Sequence, residues 1–249
     1  MTSTDEFRRL LLISNSTPYG SGYLDHAEKE IRDCVGDRTG VIFIPFAVHD
    51  WKAYAAKAHE RFRDMGLALT SVHDVSNMRR AIEKAQAVFV GGGNTFRLLK
   101  GLYDHDLLDP IRRRVAAGAP YIGSSAGSIV ACLTLKTTKD MPVVQPPSFE
   151  ALGLVSFQIS PHYLDPDPLP THMGETQEER ILQFLEENEA PVVGLREGSI
   201  LRVQGGFVML KGPHSARIFR RGEKPVEVTS DSNLHELLET TTFPLGALA

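Results

Sequence analysis

Short apolar runs alternate with amphipathic stretches along most of the chain. The runs combine apolar and β-branched residues without polar alternation, which is typical of strands buried on both faces of a parallel sheet. These predicted strands cover residues 10–14, 41–45, 87–90, 121–123 and 192–195. The amphipathic stretches between them predict helices at residues 25–35, 51–65, 76–84, 95–103 and 107–117. This order predicts an α/β fold with three layers and a mainly parallel sheet.

Two regions depart from this pattern. Near the C-terminus, short strand candidates at residues 201–203, 206–209 and 216–219 are separated by glycine-containing turns, which predicts a small antiparallel C-terminal extension. Residues 137–170 are rich in proline and predict long loops and irregular strands over the sheet. Because no internal repeat or linker is evident, we expect residues 1–249 to form a single α/β domain.

Composition narrows the class of protein. The chain has 249 residues, with 27 Lys and Arg against 31 Asp and Glu, for a formal net charge of −4. This mild acidity disfavours nucleic acid as a partner, and without a polybasic tract we expect no binding to anionic membranes. No apolar run reaches the roughly 18 residues of a membrane span. The two cysteines, Cys34 and Cys132, are too few for a disulfide scaffold or a cysteine zinc site. With a polar, acidic N-terminus unlike a signal peptide, this predicts a cytoplasmic protein.

The strongest chemical signal lies at residues 121–130, where a strand, a small-residue turn and a helix follow one another. Residues 123–127 match G-x-S-x-G, a motif in which the central serine sits on a sharp turn from strand to helix. Ser125 would then project at a helix N-terminus, which favours developing negative charge, and the N–H of Ala126 would be an oxyanion donor. The alternative is an ordinary serine N-cap.

A second strand-turn-helix pattern covers residues 87–95 and contains three consecutive glycines. Neither phosphate-binding glycine motif is present, so a nucleotide site is only weakly indicated, and the turn can equally be one that Asn94 caps. If Ser125 is a nucleophile, Gly92 or Gly93 would supply the second oxyanion N–H, and we favour Gly92.

A serine nucleophile needs a base, usually a histidine. His162 ends an apolar run and opens the proline-rich loop, so it is favoured over its main rivals, His172 and His214.

The base in turn needs a carboxylate to hold its tautomer. Glu197 follows the buried run at 192–195, whereas Asp140, Asp165 and Asp167 are loop alternatives. The order Ser, His, Glu along the chain differs from the Ser, acid, His order of α/β-hydrolases.

With these segments in view, the sequence resembles peptidase E, the α-aspartyl dipeptidase family of serine peptidases. Relatives of that family include cyanophycinase, and its fold resembles that of class I glutamine amidotransferases. The matching segments occur in the family's order at residues 88–96, 121–127, 140–142, 161–163, 174–176, 179–181 and 197–198. A glutamine amidotransferase itself is disfavoured, because that chemistry uses Cys where this turn carries Ser125.

The resemblance implies a cytoplasmic enzyme, independent of metals and cofactors, that cleaves Asp-X dipeptides after an N-terminal aspartate. We expect it to act on short peptides as a monomer or homodimer. The resemblance implies Ser125 as nucleophile, His162 as general base and Glu197 as third member, with Asp140 as the alternative acid. The substrate-binding residues that it implies are Asn94, Glu175 and Gln177.

Two positions depart from the family pattern. The small Ser124 precedes the nucleophile where relatives commonly have a bulky residue. Gln177 stands where Gly-Glu-Thr is usually followed by Arg, the expected partner of the substrate's aspartate carboxylate, and a glutamine supplies only a neutral hydrogen bond. Arginines that would compensate are Arg97, Arg180 and Arg196.

Three alternatives therefore stand beside the Asp-X dipeptidase. Two are enzymes: a cyanophycinase-like β-aspartyl hydrolase, and a peptidase E homologue with altered preference at P1, the residue before the cleaved bond. The third is a non-catalytic binder that uses residues 91–95 as an anion cradle.

Overall fold

The computed structural model describes residues 8–166 and 174–239. In these ranges the strands are β1 (Arg9–Ile13), β2 (Gly40–Ile44), β3 (Ala68–Ser71), β4 (Ala87–Val90), β5 (Tyr121–Ser124), β6 (Gln158–Pro161), β7 (Val192–Leu195), β8 (Ile200–Gln204), β9 (Phe207–Lys211), β10 (Ala216–Phe219) and β11 (Val226–Val228). The helices are α1 (Glu28–Val35), α2 (Trp51–Asp64), α3 (Met78–Glu83), α4 (Thr95–Asp104), α5 (Leu108–Ala116), α6 (Ala126–Val130), α7 (Gln177–Glu187) and α8 (Glu236–Glu239). None of these helices is long and apolar enough to cross a membrane.

The larger sheet has seven strands in the order β3-β2-β4-β5-β1-β8-β9. The first five strands in this order are parallel to one another. β8 is antiparallel to β1, and β9 is antiparallel to β8. Side chains alternate between the two faces of β1: Leu10 and Leu12 join one buried cluster, and Leu11 and Ile13 join the other. Helices α1 and α2 cover the second cluster, and α3 to α6 cover the first. The predicted three-layer, mainly parallel α/β fold is confirmed.

A second sheet of four strands has the order β11-β10-β7-β6, in which only β6 and β7 are parallel. This arrangement corrects two details of the prediction. Residues 192–195 form β7 of this sheet rather than a strand of the larger one. The C-terminal strands also divide, because β8 and β9 extend the larger sheet whereas β10 and β11 complete the smaller one. A buried run of four apolar residues carries no information about which neighbour it pairs with.

Helix bounds lie within about three residues of the predictions, as expected where caps decide the ends. Asp50, Asn77 and Asn94 cap α2, α3 and α4 with side-chain oxygens, and Thr176 begins α7 with a reciprocal capping box to Glu179. The edge strand β3 was not predicted, because its four residues alternate exposed with buried positions and so form no continuous apolar run. Of the residues 137–170 predicted as long loops and irregular strands, 137–157 contain no named helix or strand and 158–161 form β6, whereas 167–170 lie outside the described residues.

The two sheets meet at the carboxyl ends of their parallel strands. Ser14, which directly follows β1, donates its hydroxyl to the carbonyl of Leu195 at the end of β7, at 2.8 Å. The same hydroxyl accepts the backbone N–H of His162, the residue after β6, at 3.0 Å. Loops that follow strands of both sheets are therefore brought to one edge, where open α/β sheets place their ligands.

Candidate active site

Ser125 occupies a sharp turn between β5 and α6. Its backbone has φ 51 and ψ −108, a conformation that non-glycine residues rarely adopt. The turn is secured by a hydrogen bond from the Ser125 N–H to the carbonyl of Ile13, at 2.9 Å. Rare backbone conformations persist where the surrounding structure imposes them, and they cluster at functional sites.

The glycines on either side of Ser125 are required by close packing. A Cβ added at Gly123 would lie 2.5 Å from the carbonyl oxygen of Gly127. A Cβ at Gly127 would lie 2.1 Å from the carbonyl oxygen of Val90 at the end of β4. The helix start therefore packs directly on the sheet backbone, which explains the G-x-S-x-G spacing at this turn.

The predicted base and acid converge on this serine. The Oγ of Ser125 lies 2.9 Å from Nε2 of His162, and Nδ1 of His162 lies 2.6 Å from Oε1 of Glu197. Glu197 can only accept when ionised, so the neutral ring carries its proton on Nδ1 and leaves Nε2 to accept the serine hydroxyl. The side chains of His162 and Glu197 are 40% and 49% exposed, so the Glu197 end of this series of hydrogen bonds is open to solvent.

Polar residues after β1 hold both partners of the serine. Besides the bonds of Ser14 described above, Asn15 accepts the N–H of Gly198 at 2.8 Å and so fixes the turn that carries Glu197. Both residues are buried. His162 itself has φ 52, so its backbone is also in the left-handed region. Sequence reasoning missed Ser14 and Asn15, although their position directly after a buried strand was a usable signal.

The carbonyl of His162 accepts two further hydrogen bonds. One comes from Nζ of Lys139 at 3.1 Å and the other from Nε2 of Gln177 at 3.2 Å. Lys139 also donates to the carbonyl of Pro161 at 2.9 Å, and Oε1 of Gln177 accepts the N–H of Leu164 at 3.1 Å. Burial of its ammonium lowers the pKa of Lys139 to about 8. Sequence reasoning did not single out Lys139.

The alternative acid, Asp140, lies at the start of α4 rather than on the imidazole. Its Oδ2 accepts the backbone N–H and the hydroxyl of Thr95, at 2.7 and 2.6 Å, and the hydroxyl of Thr138 at 3.1 Å. Asn94 also caps this helix, and it donates to the carbonyl of Met141 at 2.8 Å. Asp140 and Asn94 thus join the loop at 138–141 to the helix that follows the glycine turn.

The two expected oxyanion donors differ in their surroundings. A Cβ at Gly92 would lie 3.2 Å from Cβ of Ser125, so this backbone touches Ser125. Burial raises the pKa of the Tyr54 hydroxyl, and its bonding to Tyr23 and to the backbone of Gly92 acts against that rise. Ala126 is the first residue of α6, where the helix offers its N–H no intrahelical acceptor.

The remaining candidates are engaged elsewhere or lie outside the described residues. Asp165 pairs with Arg196 at 2.7 Å, and the ring of His214 lies against Gly198 rather than on Ser125. Glu175 accepts from Gln183 at 2.9 Å. His172 and Asp167 fall among the residues that are not described. Within residues 8–166 and 174–239, no group of three His, Cys, Asp or Glu side chains is placed to hold a metal ion.

An α/β fold with a serine hydroxyl, an imidazole and a carboxylate in one hydrogen-bonded line is the arrangement of a serine-type hydrolase. The sequence model of Peptidase family S51 matches residues 10–211, and the chain belongs to this family. The family predicted from the sequence and its enzyme class, a serine-type peptidase, are thereby confirmed.

Named relatives agree with this assignment. The chain is 50% identical to "Peptidase E" of Streptomyces coelicolor, over 92% of this chain and 95% of that protein. It is 44% identical to the Drosophila melanogaster protein named "Probable alpha-aspartyl dipeptidase", over 93% and 98% of the two chains. Among solved structures, a peptidase from an acI-B1 actinobacterium matches with a TM-score of 0.68 at 15% identity, over 92% and 96% of the chains, and this likeness supports the fold.

Proposed function

We propose that this protein is a serine dipeptidase that hydrolyses Asp-X dipeptides with an N-terminal aspartate, through an acyl-enzyme formed on Ser125. The observation that carries the proposal is the continuous line from Ser125 Oγ through His162 to Glu197, with contacts of 2.9 and 2.6 Å. The names of the relatives, peptidase E and α-aspartyl dipeptidase, support the substrate class. They favour α-aspartyl over β-aspartyl bonds.

In the first half of the proposed reaction, the Oγ of Ser125 attacks the peptide carbonyl while Nε2 of His162 takes its proton. Glu197 stabilises the imidazolium that forms. The N–H of Ala126 lies at the helix start and stabilises the oxyanion, and Gly92, whose backbone adjoins Ser125, is the second proposed donor. The imidazolium then gives its proton to the leaving amine.

In the second half, water replaces the departed amine and is deprotonated by the same imidazole. The resulting hydroxide attacks the ester, and the proton returns to Ser125 Oγ as the acid product leaves. The half-exposed imidazole of His162 gives this water direct access to the base. Ser125 and His162 come from different sheets, so we propose that residues 1–249 work as one hydrolytic domain.

The experiment that tests this proposal compares two neighbouring serines. Ser125→Ala removes the nucleophile, and we expect turnover of Asp-Leu and labelling by a fluorophosphonate to disappear. Ser124→Ala is the matched control, because its hydroxyl is buried without a hydrogen-bond partner among the described residues. It should retain both signals. Substantial hydrolysis of Asp-Leu by Ser125→Ala would exclude the acyl-enzyme.

We also propose that the protein works in the reducing cytoplasm. Cys34 and Cys132 are both buried and free. Burial raises the pKa of the Cys34 thiol to about 12, and it raises that of Cys132 as well, so both thiols stay protonated and unreactive near neutral pH. Neither thiol is therefore suited to form a disulfide, which fits a compartment where none is needed.

A further inference from the structure

A substrate with an N-terminal aspartate brings a second carboxylate to the site, in its side chain, and that charge needs a partner. Position 177 does not supply a cation, because it is a glutamine. Both ends of its amide are moreover bonded to backbone, Nε2 to the carbonyl of His162 and Oε1 to the N–H of Leu164. Gln177 therefore supports the loop that carries the base.

The arginines expected to compensate do not fill this role. Arg196 already pairs with Asp165 at 2.7 Å and with Glu227 at 2.6 Å. Arg180 is 55% exposed and lies 3.6 Å from Glu175. Arg97 is in α4, and its backbone N–H donates to the side chain of the cap Asn94. Among the hydrogen bonds and ion pairs of the described residues, none joins these three arginines to Ser125, His162 or Glu197.

Lys139 is placed differently. Its ammonium donates to the carbonyls of Pro161 and His162, at 2.9 and 3.1 Å. An ammonium has three N–H donors, so these neutral acceptors leave one donor over. In the described part of the chain, no carboxylate oxygen lies within 4.0 Å of Nζ. The neighbouring Asp140 instead directs Oδ2 to Thr95 and Thr138.

The ammonium of Lys139 and the amide of Gln177 are neighbours, because both donate to the single carbonyl oxygen of His162. The ring of the same residue contacts Ser125. A positive charge is therefore present beside position 177 and is joined to Ser125 through the single residue His162, although residue 177 is neutral.

The charge state of Lys139 is sensitive to what binds it. Burial lowers its pKa to about 8, Asp140 and Glu197 act to raise it, and Arg180 acts to lower it. A carboxylate docked on the ammonium would offset the burial and raise this pKa. By linkage, the protonated enzyme binds such a ligand more tightly than the neutral one.

From these contacts we propose that the ammonium of Lys139 receives the side-chain carboxylate of the substrate's N-terminal aspartate, in place of the arginine that the family usually carries at position 177. The proposal rests on the dipeptidase function proposed above. It makes Lys139 a specificity-determining residue and assigns Gln177 to positioning His162.

The test compares Asp-Leu with its neutral isostere Asn-Leu on four variants. We expect Lys139→Gln to lower kcat/KM for Asp-Leu by about 10–100-fold, mainly through KM, since a hydrogen bond to a charged group is lost, and to change Asn-Leu little. Lys136→Gln is the matched control, because Lys136 lies on the same loop and its ammonium donates to Oδ1 of Asn188 rather than to His162. Lys139→Arg should keep the preference for aspartate. Lys139→Gln/Gln177→Arg should restore it in part.

The outcomes separate binding from positioning. An equal loss on Asp-Leu and Asn-Leu with Lys139→Gln would overturn the proposal, because Lys139 would then only support the His162 loop. No loss on either peptide would overturn it as well. If Lys139→Gln fails to fold, the pH profile of wild type decides: kcat/KM for Asp-Leu should fall above about pH 8 relative to Asn-Leu, and Lys139→Arg should abolish this relative fall. Parallel profiles for the two peptides would contradict the proposal.

Failure of the dipeptidase function has a different signature. In that case wild-type protein reacts with fluorophosphonate at Ser125 but shows no preference for Asp-Leu over Asn-Leu, before any lysine is changed. If wild type prefers Asp-Leu and Lys139→Gln retains that preference, the function stands and only the assignment of Lys139 is wrong.

Discussion

Ser125 and its two hydrogen-bonded partners, His162 and Glu197, are held in opposite ways. Ser125 belongs to the larger sheet and is fixed from within that sheet, since β5 and α6 on either side of it are buried, the flanking glycines pack on backbone, and its N–H bonds Ile13 of β1. His162 and Glu197 follow strands of the smaller sheet and are 40% and 49% exposed. They are fixed by distant residues: Ser14 is 148 positions from His162, and Asn15 is 183 positions from Gly198.

This difference indicates which half of the site is the more vulnerable. The geometry of the serine turn is imposed within one sheet, by steric contacts of its glycines and by the bond to Ile13. His162 and Glu197 depend on a few hydrogen bonds across the junction of the two sheets, each worth about 1 kcal/mol in net stability. We therefore expect substitutions at the junction to impair proton transfer before they disturb the serine turn.

The largest expected effect is a loss of kcat when the carboxylate that bonds His162 is removed. Glu197→Gln removes the charge that stabilises the imidazolium and permits the wrong tautomer, so we expect kcat to fall by about 10²–10⁴-fold. Asp140→Asn, at the alternative acid, should cost about 1 kcal/mol of stability at the start of α4 and affect kcat far less. Steady-state kinetics on Asp-Leu check both. A larger fall in kcat with Asp140→Asn would reverse the assignment of the acid.

An intermediate effect is expected at the junction. Ser14→Ala leaves the N–H of His162 and the carbonyl of Leu195 without their shared partner, so we expect the free energy of unfolding to fall by about 1–3 kcal/mol and kcat to fall about tenfold.

Ser128→Ala provides the matched comparison on the larger sheet. Ser128 is equally buried and donates to the carbonyls of Ile13 and Gly123. Urea unfolding should show a similar loss of stability for this variant, with kcat largely retained. Equal losses of kcat in the two variants would mean that the junction has no special role in catalysis.

The smallest expected effect is on the free energy of unfolding at acid pH. It arises from the pair of Arg196 with Asp165, in the loop after His162. The bond from Arg196 lowers the pKa of Asp165 below its usual value. A lowered folded-state pKa contributes stability above the unfolded pKa, about 4, and this contribution is lost as pH falls through the folded value.

Wild type should therefore be more stable than Arg196→Gln at pH 7, and the difference should shrink below about pH 4. Urea unfolding at pH 7 and pH 3 measures this. Asp33→Asn is a matched control, because Lys29 lowers the pKa of Asp33 on α1 rather than on the loop after His162, so kcat of this variant should equal that of wild type. A difference between wild type and Arg196→Gln that grows on acidification would contradict the role of Asp165.

Much of the larger sheet could be predicted because its strands are continuous apolar runs and its helices carry their own caps. Ser125 could be predicted for the same local reason, since strand, small-residue turn and helix follow each other within residues 121–130. Spacing along the sequence did not show whether Glu197 or Asp140 pairs with the imidazole, because each follows a segment that could bring it to the site. It depends on β7 lying next to β6, and that pairing is not encoded in either four-residue run.

The sequence by itself determined the α/β class, the serine turn and the family, because these depend on short-range periodicity, steric limits at glycine and motifs in a fixed order. Only the tertiary structure decided that β6 and β7 form a second sheet, that Ser14 and Asn15 support the base and acid, and that Lys139 stands beside Gln177. These relations join residues far apart in the chain, and a hydrogen bond across such a distance depends on how whole strands are placed, which local sequence patterns do not specify.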